Sequence, residues 1–399
     1  MTLLSALAPL RLAHRPTEKP KPTARHNARP VPGQHPSQPQ SHTAPEGGAM
    51  AVAASTRSIR TAQQMLAEAA GVTFPALRQA VDQLPQAVGL LVGVHFGWRD
   101  ISGALLPGGN ASVGKAVRPA LTLLSCETAG GTPQAGVPAA VAVELVHNAS
   151  LLHDDIIDGD RLRRGRPALW AKLGLPAAIL AGDALFFLAT QVLAQAPSPL
   201  GGKEGVGLLT AAVQELIDGE YADTLLEERE RVSVAECAAM AAGKTGSLIA
   251  ASCALGALAA GADAERVAHL RAFGAHVGAA FQLIDDLLGI WGDPARTGKP
   301  VYADLAARKK SLPVVAALAA DGLAARELRE LYAGRRPLSQ QELQTAAELV
   351  DRAGGRTWAR AEADRHIQQA LGRLDAVGTD AITRAELTAL TLLVSDRDY

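Results

Sequence analysis

Residues 144–170, ELVHNASLLHDDIIDGDRLRRGRPALW, run from an apolar stretch straight into a cluster of charge. The residues from Val141 to Leu152 are mostly apolar over a length that suits a buried helix better than a strand. Asp154, Asp155 and Asp158 close it in a DDxxD spacing. On a helix, Asp154 and Asp158 share one face a turn apart, with Asp155 flanking them. Arg163 and Arg164 follow at once. Carboxylates placed this way repel one another, and a hard divalent cation relieves that repulsion. Mg²⁺ takes one or two protein carboxylates and fills its octahedron with water and substrate phosphate. Paired guanidinium groups supply the matching bidentate donors for phosphate. The stretch therefore points to a diphosphate held between metal and arginine, although a solvated helix end of mixed charge would use the same residue types.

A second copy of this device separates the two readings. The residues from Ala264 to Ile290 again form a helix-length stretch that ends in acids, FQLIDDLLGIWGD, with Gln282, Asp285 and Asp286 at the turn. Cations follow at Lys299, Lys309 and Lys310. Two acidic helix ends facing each other across a bundle would clamp a metal–diphosphate from both sides, and bundle cores are a usual place for such sites. Two smaller motifs fit the same ligand. Lys115 and Arg118 open a helix at GKAVRP, where the macrodipole disfavours cations unless an anion binds. Lys244 and Thr245 lie between glycines in GKTG and can donate to phosphate oxygens, though such a segment also serves as a plain helix junction.

The fold class follows from how the apolar residues are made up. Hydrophobic residues are 48% of the chain but aromatics only 4%, so the apolar mass is Ala, Leu and Val and favours an all-α bundle. A net charge of −1 gives no call for nucleic acid or an acidic membrane. Cys126, Cys237 and Cys253 are isolated in apolar settings, which predicts buried free thiols and a cytoplasmic location. The stretch from Pro176 to Gln195 is apolar over a bilayer's thickness but carries Asp183, so it is read as a core helix. MTLLSALAPLRLA lacks a basic region before its apolar part and does not read as a secretory signal.

Residues 1–57 differ from the rest: proline recurs among Gln, His, Ser, Thr and Arg. This predicts a disordered tail, dispensable for chemistry, ahead of one catalytic domain over residues 58–399. Helices are expected over 61–70 (closed by Gly71), 74–96 with a break at Pro85, 114–128, 207–228 and 233–242, with a turn at Gly108-Gly109-Asn110.

Together the motifs GKAVRP, ELVHNASLLHDDIIDGDRLRRGRP, AILAGD, GEYAD, KTGSLI, FQLIDDLLGIWGD, GKPVYADL and KKSLP resemble, in order, the trans-type polyprenyl diphosphate synthases from about residue 60 to the end. VHFGW and DDLLGIWGD are similar to the actinobacterial branch. The resemblance implies a helical bundle with a central cavity, a homodimer, and about three Mg²⁺ ions per site. It implies that Lys115, Arg118, His147 and Arg164 bind isopentenyl diphosphate, and that Arg163, Lys244, Thr245, Gln282, Lys299 and Lys309 bind the allylic diphosphate. Metal positions match Asp154, Asp155, Asp158, Asp285 and Asp286. Some related bacterial synthases carry N-terminal tails that load them into protein shells, so a shell is one candidate partner for residues 1–57. Ala149 and Ser150, five and four residues before Asp154, fall where members that stop at farnesyl diphosphate tend to carry an aromatic ring. Both are small, which implies geranylgeranyl diphosphate or longer.

Three positions depart from the family pattern. Ala116 replaces a second cation, Glu220 replaces Gln, and Gly289 replaces the last Asp of the second DDxxD. Asp293 cannot substitute for it on a helix, because eight residues from Asp285 is ~12 Å of rise. Two other readings compete. A class I terpene cyclase would fold its substrate against aromatics and carry an Asn/Ser/Glu metal motif, both wanting here. A non-catalytic subunit of a two-component synthase fits Gly289 but not the intact first motif. His147 is assigned to binding, and His153 is expected to be a satisfied buried histidine.

Overall fold

The computed structural model describes residues 58–107, 114–297, 300–334 and 336–395. The expected tail over 1–57, the Gly108-Gly109-Asn110 turn and Lys299 lie outside them. The described chain is helical except for one two-stranded ribbon, as the Ala- and Leu-rich composition predicts. The helices are α1 (Ala62–Val81), α2 (Gln86–Phe96), α3 (Val117–Thr128), α4 (Pro133–Ile157), α5 (Leu169–Leu173), α6 (Leu175–Ala194) and α7 (Lys203–Glu228). After them come α8 (Val234–Ala241), a π turn (Ala242–Gly246), α9 (Ser247–Ala259) and α10 (Ala264–Trp291). The chain finishes with α11 (Pro294–Thr297), α12 (Ala303–Ala306), α13 (Leu312–Ala319), α14 (Leu323–Ala333), α15 (Gln340–Arg352), α16 (Gly355–Val377) and α17 (Ala381–Ser395).

Helix boundaries differ from expectation in three places, one being α3, which begins at Val117 and leaves Lys115 before the helix. The first helix runs through Gly71 and Pro75 to Val81, because Met65, Ala69, Phe74, Leu77 and Val81 form one buried stripe across the glycine. Tertiary packing of that stripe outweighs the roughly 1 kcal/mol that a mid-helix glycine costs. The break comes at Pro85, as expected. Likewise α7 begins at Lys203 rather than Gly207.

The largest core cluster is built on α4, whose Ala139, Val143, Leu145, Val146, Ala149 and Leu152 are almost fully enclosed. This fixes α4 as the central strut and aims its acidic end. By length and composition alone, Pro133–Ile157, Leu175–Ala194 and Val234–Ala259 would each suffice to cross a membrane. Here α4 carries buried Glu144, Asn148 and Asp155, polar groups that need protein partners rather than lipid. The α6 helix is only partly the core helix expected. Its Ala178, Ala181, Leu185 and Leu188 are buried, while Leu175, Ile179, Leu180 and Phe187 stand exposed, Phe187 at 77%. All three cysteines are free and buried.

The start of the described domain is tied to its end. Arg60 lies one residue before the α1 cap, and its backbone and guanidinium N–H groups donate to Glu386 of α17 at 2.7–3.0 Å. The same guanidinium reaches Glu127 of α3 at 2.7 Å and Glu68 of α1 at 2.9 Å.

Candidate active site

The basic turn after the first acidic motif is a tight hairpin. Strand β1 (Leu162–Arg163) pairs antiparallel with β2 (Arg166–Pro167). The two residues between them, Arg164 and Gly165, both have left-handed φ, 52° and 72°. Positive φ at both loop positions is the requirement of the turn that matches strand twist. The hairpin was invisible to helix-period reasoning, and it has a consequence for charge. It sends two neighbouring arginines to two different clusters.

Arg163 turns to the end of α4. Its Nε donates to Asp155 Oδ1 at 2.6 Å and its Nη2 to Asp154 Oδ2 at 3.3 Å. Asp155 is 1% exposed, and burial raises its carboxyl above the ordinary range while Arg163 opposes that shift. The other oxygen of Asp154 meets Lys244, and Asp154 and Asp158 both approach Glu220 of α7. Their oxygens and one of Glu220 all lie within 4.8 Å of one another, close enough to share a cation. Asp155 stands outside that group, on the arginine side of the helix.

A crossing of two glycines brings Glu220 there. A Cβ on Gly219 would lie 2.2 Å from the Lys244 backbone nitrogen, so α7 and the π turn touch backbone to backbone. That contact delivers Lys244 into the acids. Its Nζ lies 3.2 Å from Asp154, 3.0 Å from Glu220 and 2.7 Å from Asp223. Burial alone would lower the Lys244 pKa, but these carboxylates raise it on balance. Burial pushes Asp158 up to about 6, reinforced by Asp154, and pushes Glu220 up to about 7 against the pull of Lys244. The acids outnumber their cation, so a divalent ion would be favoured there. Asp223 belongs to this group, and the sequence had marked it only as the end of GEYAD. The π turn at GKTG is itself a form that concentrates at functional sites.

The second acidic helix end is divided in two. Asp285 is exposed at the end of α10, while Asp286 is 4% exposed. Asp286 Oδ2 accepts the Leu312 N–H at the start of α13 (2.8 Å), and its Oδ1 accepts from Gln282 Nε2 (2.7 Å). Gln282 in turn accepts from Thr245 at 2.7 Å. Asp286, expected beside a metal, thus has both oxygens occupied inside the protein. Burial lifts its carboxyl to about 7, with Lys309 pulling it down. Lys309 feels Asp286, Asp304 and Asp223, so this cluster adjoins the Asp154 group.

Arg164 belongs to the other cluster. A Cβ on Gly114, beside Lys115, would lie 3.1 Å from its Nη2. Around it stand Arg118, His147 and His95; burial is the main cause that lowers the pKa of both histidines, and the charge of Arg164 adds to it. Glu144 answers Arg118 and Arg164 with a buried carboxylate that burial pushes up. Asn148 Nδ2 donates to Glu144 at 3.0 Å, and its Oδ1 meets His95 Nε2 at 3.3 Å. Sequence reasoning missed Glu144, Asn148 and His95. Their signal was an acid and an amide four apart inside an apolar helix, which needs partners wherever it is buried. His153 is satisfied by the Ile179 carbonyl at 3.2 Å but remains partly exposed rather than buried.

Backbone strain marks the same places. Among the described residues, the non-glycine positions with left-handed φ are Ala116, Arg164, Tyr302 and Arg308. Each is a site residue or within two positions of Lys115, Arg118, Asp304 or Lys309, where the surrounding structure must hold it.

A helical bundle gathers carboxylates, lysine and arginine in one cluster, and arginines and buried imidazoles in a second, so it offers groups suited to anions in both and to a cation in the first. A family model for polyprenyl synthetases matches residues 109–350. The chain is 45% identical to a (2E,6E)-farnesyl diphosphate synthase of Mycobacterium tuberculosis over 86% of its own length and 95% of that protein's. It is 41% identical to a geranylgeranyl diphosphate synthase of the same organism over 81% and 91%. It superposes on a polyprenyl synthetase from Streptomyces coelicolor with a TM-score of 0.77 at 47% identity, covering 83% of this chain and 98% of that one. The chain belongs to the polyprenyl synthetase family and is a trans-prenyltransferase of isoprenoid biosynthesis.

Proposed function

We propose that the chain condenses isopentenyl diphosphate with an allylic diphosphate in a Mg²⁺-dependent reaction, yielding geranylgeranyl diphosphate or a longer trans product. The observation that carries this reading is the cluster of Asp154, Asp158 and Glu220 oxygens, with Lys244 paired to Asp154 and Glu220, beside a separate arginine cluster. Asp154, Asp158, Glu220 and the exposed Asp285 would hold about three Mg²⁺ ions with water and diphosphate. Bound Mg²⁺ would neutralise the diphosphate leaving group.

The chain's own residues do the rest. Arg163, Lys244 and Lys309, with Thr245 and Gln282, bind the allylic diphosphate and stabilise the charge that grows as the C–O bond ionises. Lys115, Arg118, Arg164 and His147 hold isopentenyl diphosphate so that its double bond attacks the cation. Burial and the neighbouring arginines keep His147 neutral, so it serves as a hydrogen-bond donor rather than a charge. A proton then leaves for the released diphosphate, and the enclosing helices keep water from the cation.

Homodimerisation would cover the exposed apolar face of α6, Leu175, Ile179, Leu180 and Phe187, continued on α7 by Ile217 and Tyr221. Three free thiols fit a cytoplasmic setting.

Named products of the relatives differ, so chain length rests on residues. Along α4, His147, Ser150, Leu151, Asp154 and Asp158 make up the less buried face, which puts Ser150 one turn from Asp154. Ala149 is fully buried among core residues, so a ring there must displace neighbours. Ser150→Phe is expected to shorten the main product by at least one five-carbon unit, and Ala149→Phe to do so with some loss of stability. The test incubates the purified chain with isopentenyl diphosphate and dimethylallyl, geranyl or farnesyl primer, resolving products by length. A wild type that stops at farnesyl, or an unchanged distribution in both variants, contradicts the chain-length reading. A cyclised hydrocarbon, or no product without a second subunit, contradicts the whole.

A further inference from the structure

Position 289, where the second acidic motif lacks its last aspartate, is not empty space. A Cβ built on Gly289 would lie 2.1 Å from Oδ2, 2.4 Å from Cγ and 2.7 Å from Oδ1 of Asp304. The carboxylate of a residue fifteen positions later in the chain therefore fills the volume that any side chain at 289 would enter. The segment bearing it is braced on every side. Tyr302 N–H donates to the Ile290 carbonyl at 3.1 Å, pinning the segment to the last turn of α10. Leu305 is fully buried in the core under α14 and α15. Arg308 donates to the carbonyls of Leu331 and Arg336 at 2.9 and 3.0 Å. Left-handed residues, Tyr302 and Arg308, stand at both ends of α12, and the Asp304 carbonyl accepts the Lys309 N–H at 2.8 Å.

We propose that Asp304 is the positioning residue for Lys309, and that glycine at 289 is required to admit its carboxylate against α10. Asp304 and Lys309 sit at the two ends of one rigid turn, with Asp286 across from them. A lysine so enclosed needs fixed counter-charge to stay protonated and aimed, and Asp304 is among the groups that raise the Lys309 pKa against the effect of burial. The missing aspartate is thus not a simple loss. A carboxylate stands there already, delivered from another segment whose backbone is hydrogen-bonded to Lys309.

The inference rests on the reading that Lys309 binds the allylic diphosphate. Its sharpest consequence is that Gly289→Asp, which restores the full DDxxD spelling, impairs the enzyme, because the new side chain must expel Asp304. The experiment measures KM for allylic and for isopentenyl diphosphate, kcat and melting temperature in the full-length chain. Gly289→Asp and Asp304→Asn are each expected to raise the allylic KM about tenfold or more, with a smaller change in the isopentenyl KM. Asp304→Asn keeps the side-chain volume, so it reports on charge and orientation rather than packing. In a Lys309→Ala background, Asp304→Asn should add almost nothing, and Gly289→Asp with Asp304→Ala should be less impaired than Gly289→Asp alone. Gly289→Asp performing as well as wild type, Asp304→Asn moving both KM values alike, or full additivity with Lys309→Ala overturns the proposal. A wild type that elongates no primer removes the underlying reading instead, so the two failures are distinguishable.

Discussion

Asp154→Ala is expected to lower turnover by about 10²-fold or more at saturating substrates, with little change in the KM for isopentenyl diphosphate. Asp154 is the residue through which both halves of the first site connect. One oxygen lies 3.2 Å from Lys244 and the other 3.3 Å from Arg163. It is also one of the three carboxylates within 4.8 Å of one another. Removing it takes away one of the three clustered carboxylates proposed to hold the cation and leaves Lys244 paired with Glu220 and Asp223. The cluster of Arg118, Arg164 and Glu144, proposed to hold isopentenyl diphosphate, makes no contact with Asp154 and should keep its arrangement. Steady-state kinetics across a Mg²⁺ series check this, and the loss should persist at high Mg²⁺. Turnover equal to wild type would mean that Asp154 does not face the reaction.

Arg60→Ala is expected to cost about 3–5 kcal/mol of stability, the range for removing one partner of a buried ion pair. Glu386 is 0% exposed and receives three hydrogen bonds from Arg60, and Glu127 and Glu68 converge on the same guanidinium. Without it, buried Glu386 loses three hydrogen bonds, and Glu127 and Glu68 each lose an ion pair. Against a typical total of about 5–15 kcal/mol, that loss shows plainly as a fall in the urea midpoint. Replacing both partners, Arg60→Met with Glu386→Leu, should recover most of it. The same clasp sharpens where the catalytic domain begins. We propose that residues 1–57 are dispensable for chemistry. A chain starting at Ser58 keeps Arg60 and should match the full-length protein in activity and stability. One starting at Thr61 should lose about as much stability as Arg60→Ala. A chain from Ser58 that folds but is inactive contradicts this division.

The helical class and the order of the long helices were legible because Ala, Leu and Val recur at helical spacing without aromatic or β-branched runs. Helix ends at Gly71 and Gly207 were misread, since a glycine on an exposed face does not stop a helix whose buried stripe continues past it. That Asp154 and Asp158 share a face was legible because their spacing fixes it on a helix. What α7 contributes was not, for Glu220 and Asp223 reach Lys244 only through the contact of Gly219 with the π turn, and no local pattern encodes a crossing of distant glycines. The division between Arg163 and Arg164 came from the family resemblance and not from periodicity. A two-residue turn reverses direction between them, and helix-period reasoning cannot see it. Asp285 and Asp286 read as equivalent letters, but the start of α13 claims Asp286, so one faces solvent and the other the interior.

The central claim is that one pocket couples release of an allylic diphosphate to attack by isopentenyl diphosphate, with a divalent cation held by Asp154, Asp158 and Glu220. The most direct test is the stoichiometry of diphosphate release by the purified chain, given isopentenyl diphosphate and an allylic primer, with Mg²⁺ and again with EDTA. The account predicts one diphosphate released for each isopentenyl unit added, none from the primer alone at a comparable rate, and none with EDTA. Release without chain growth, or growth undiminished by EDTA, would contradict it.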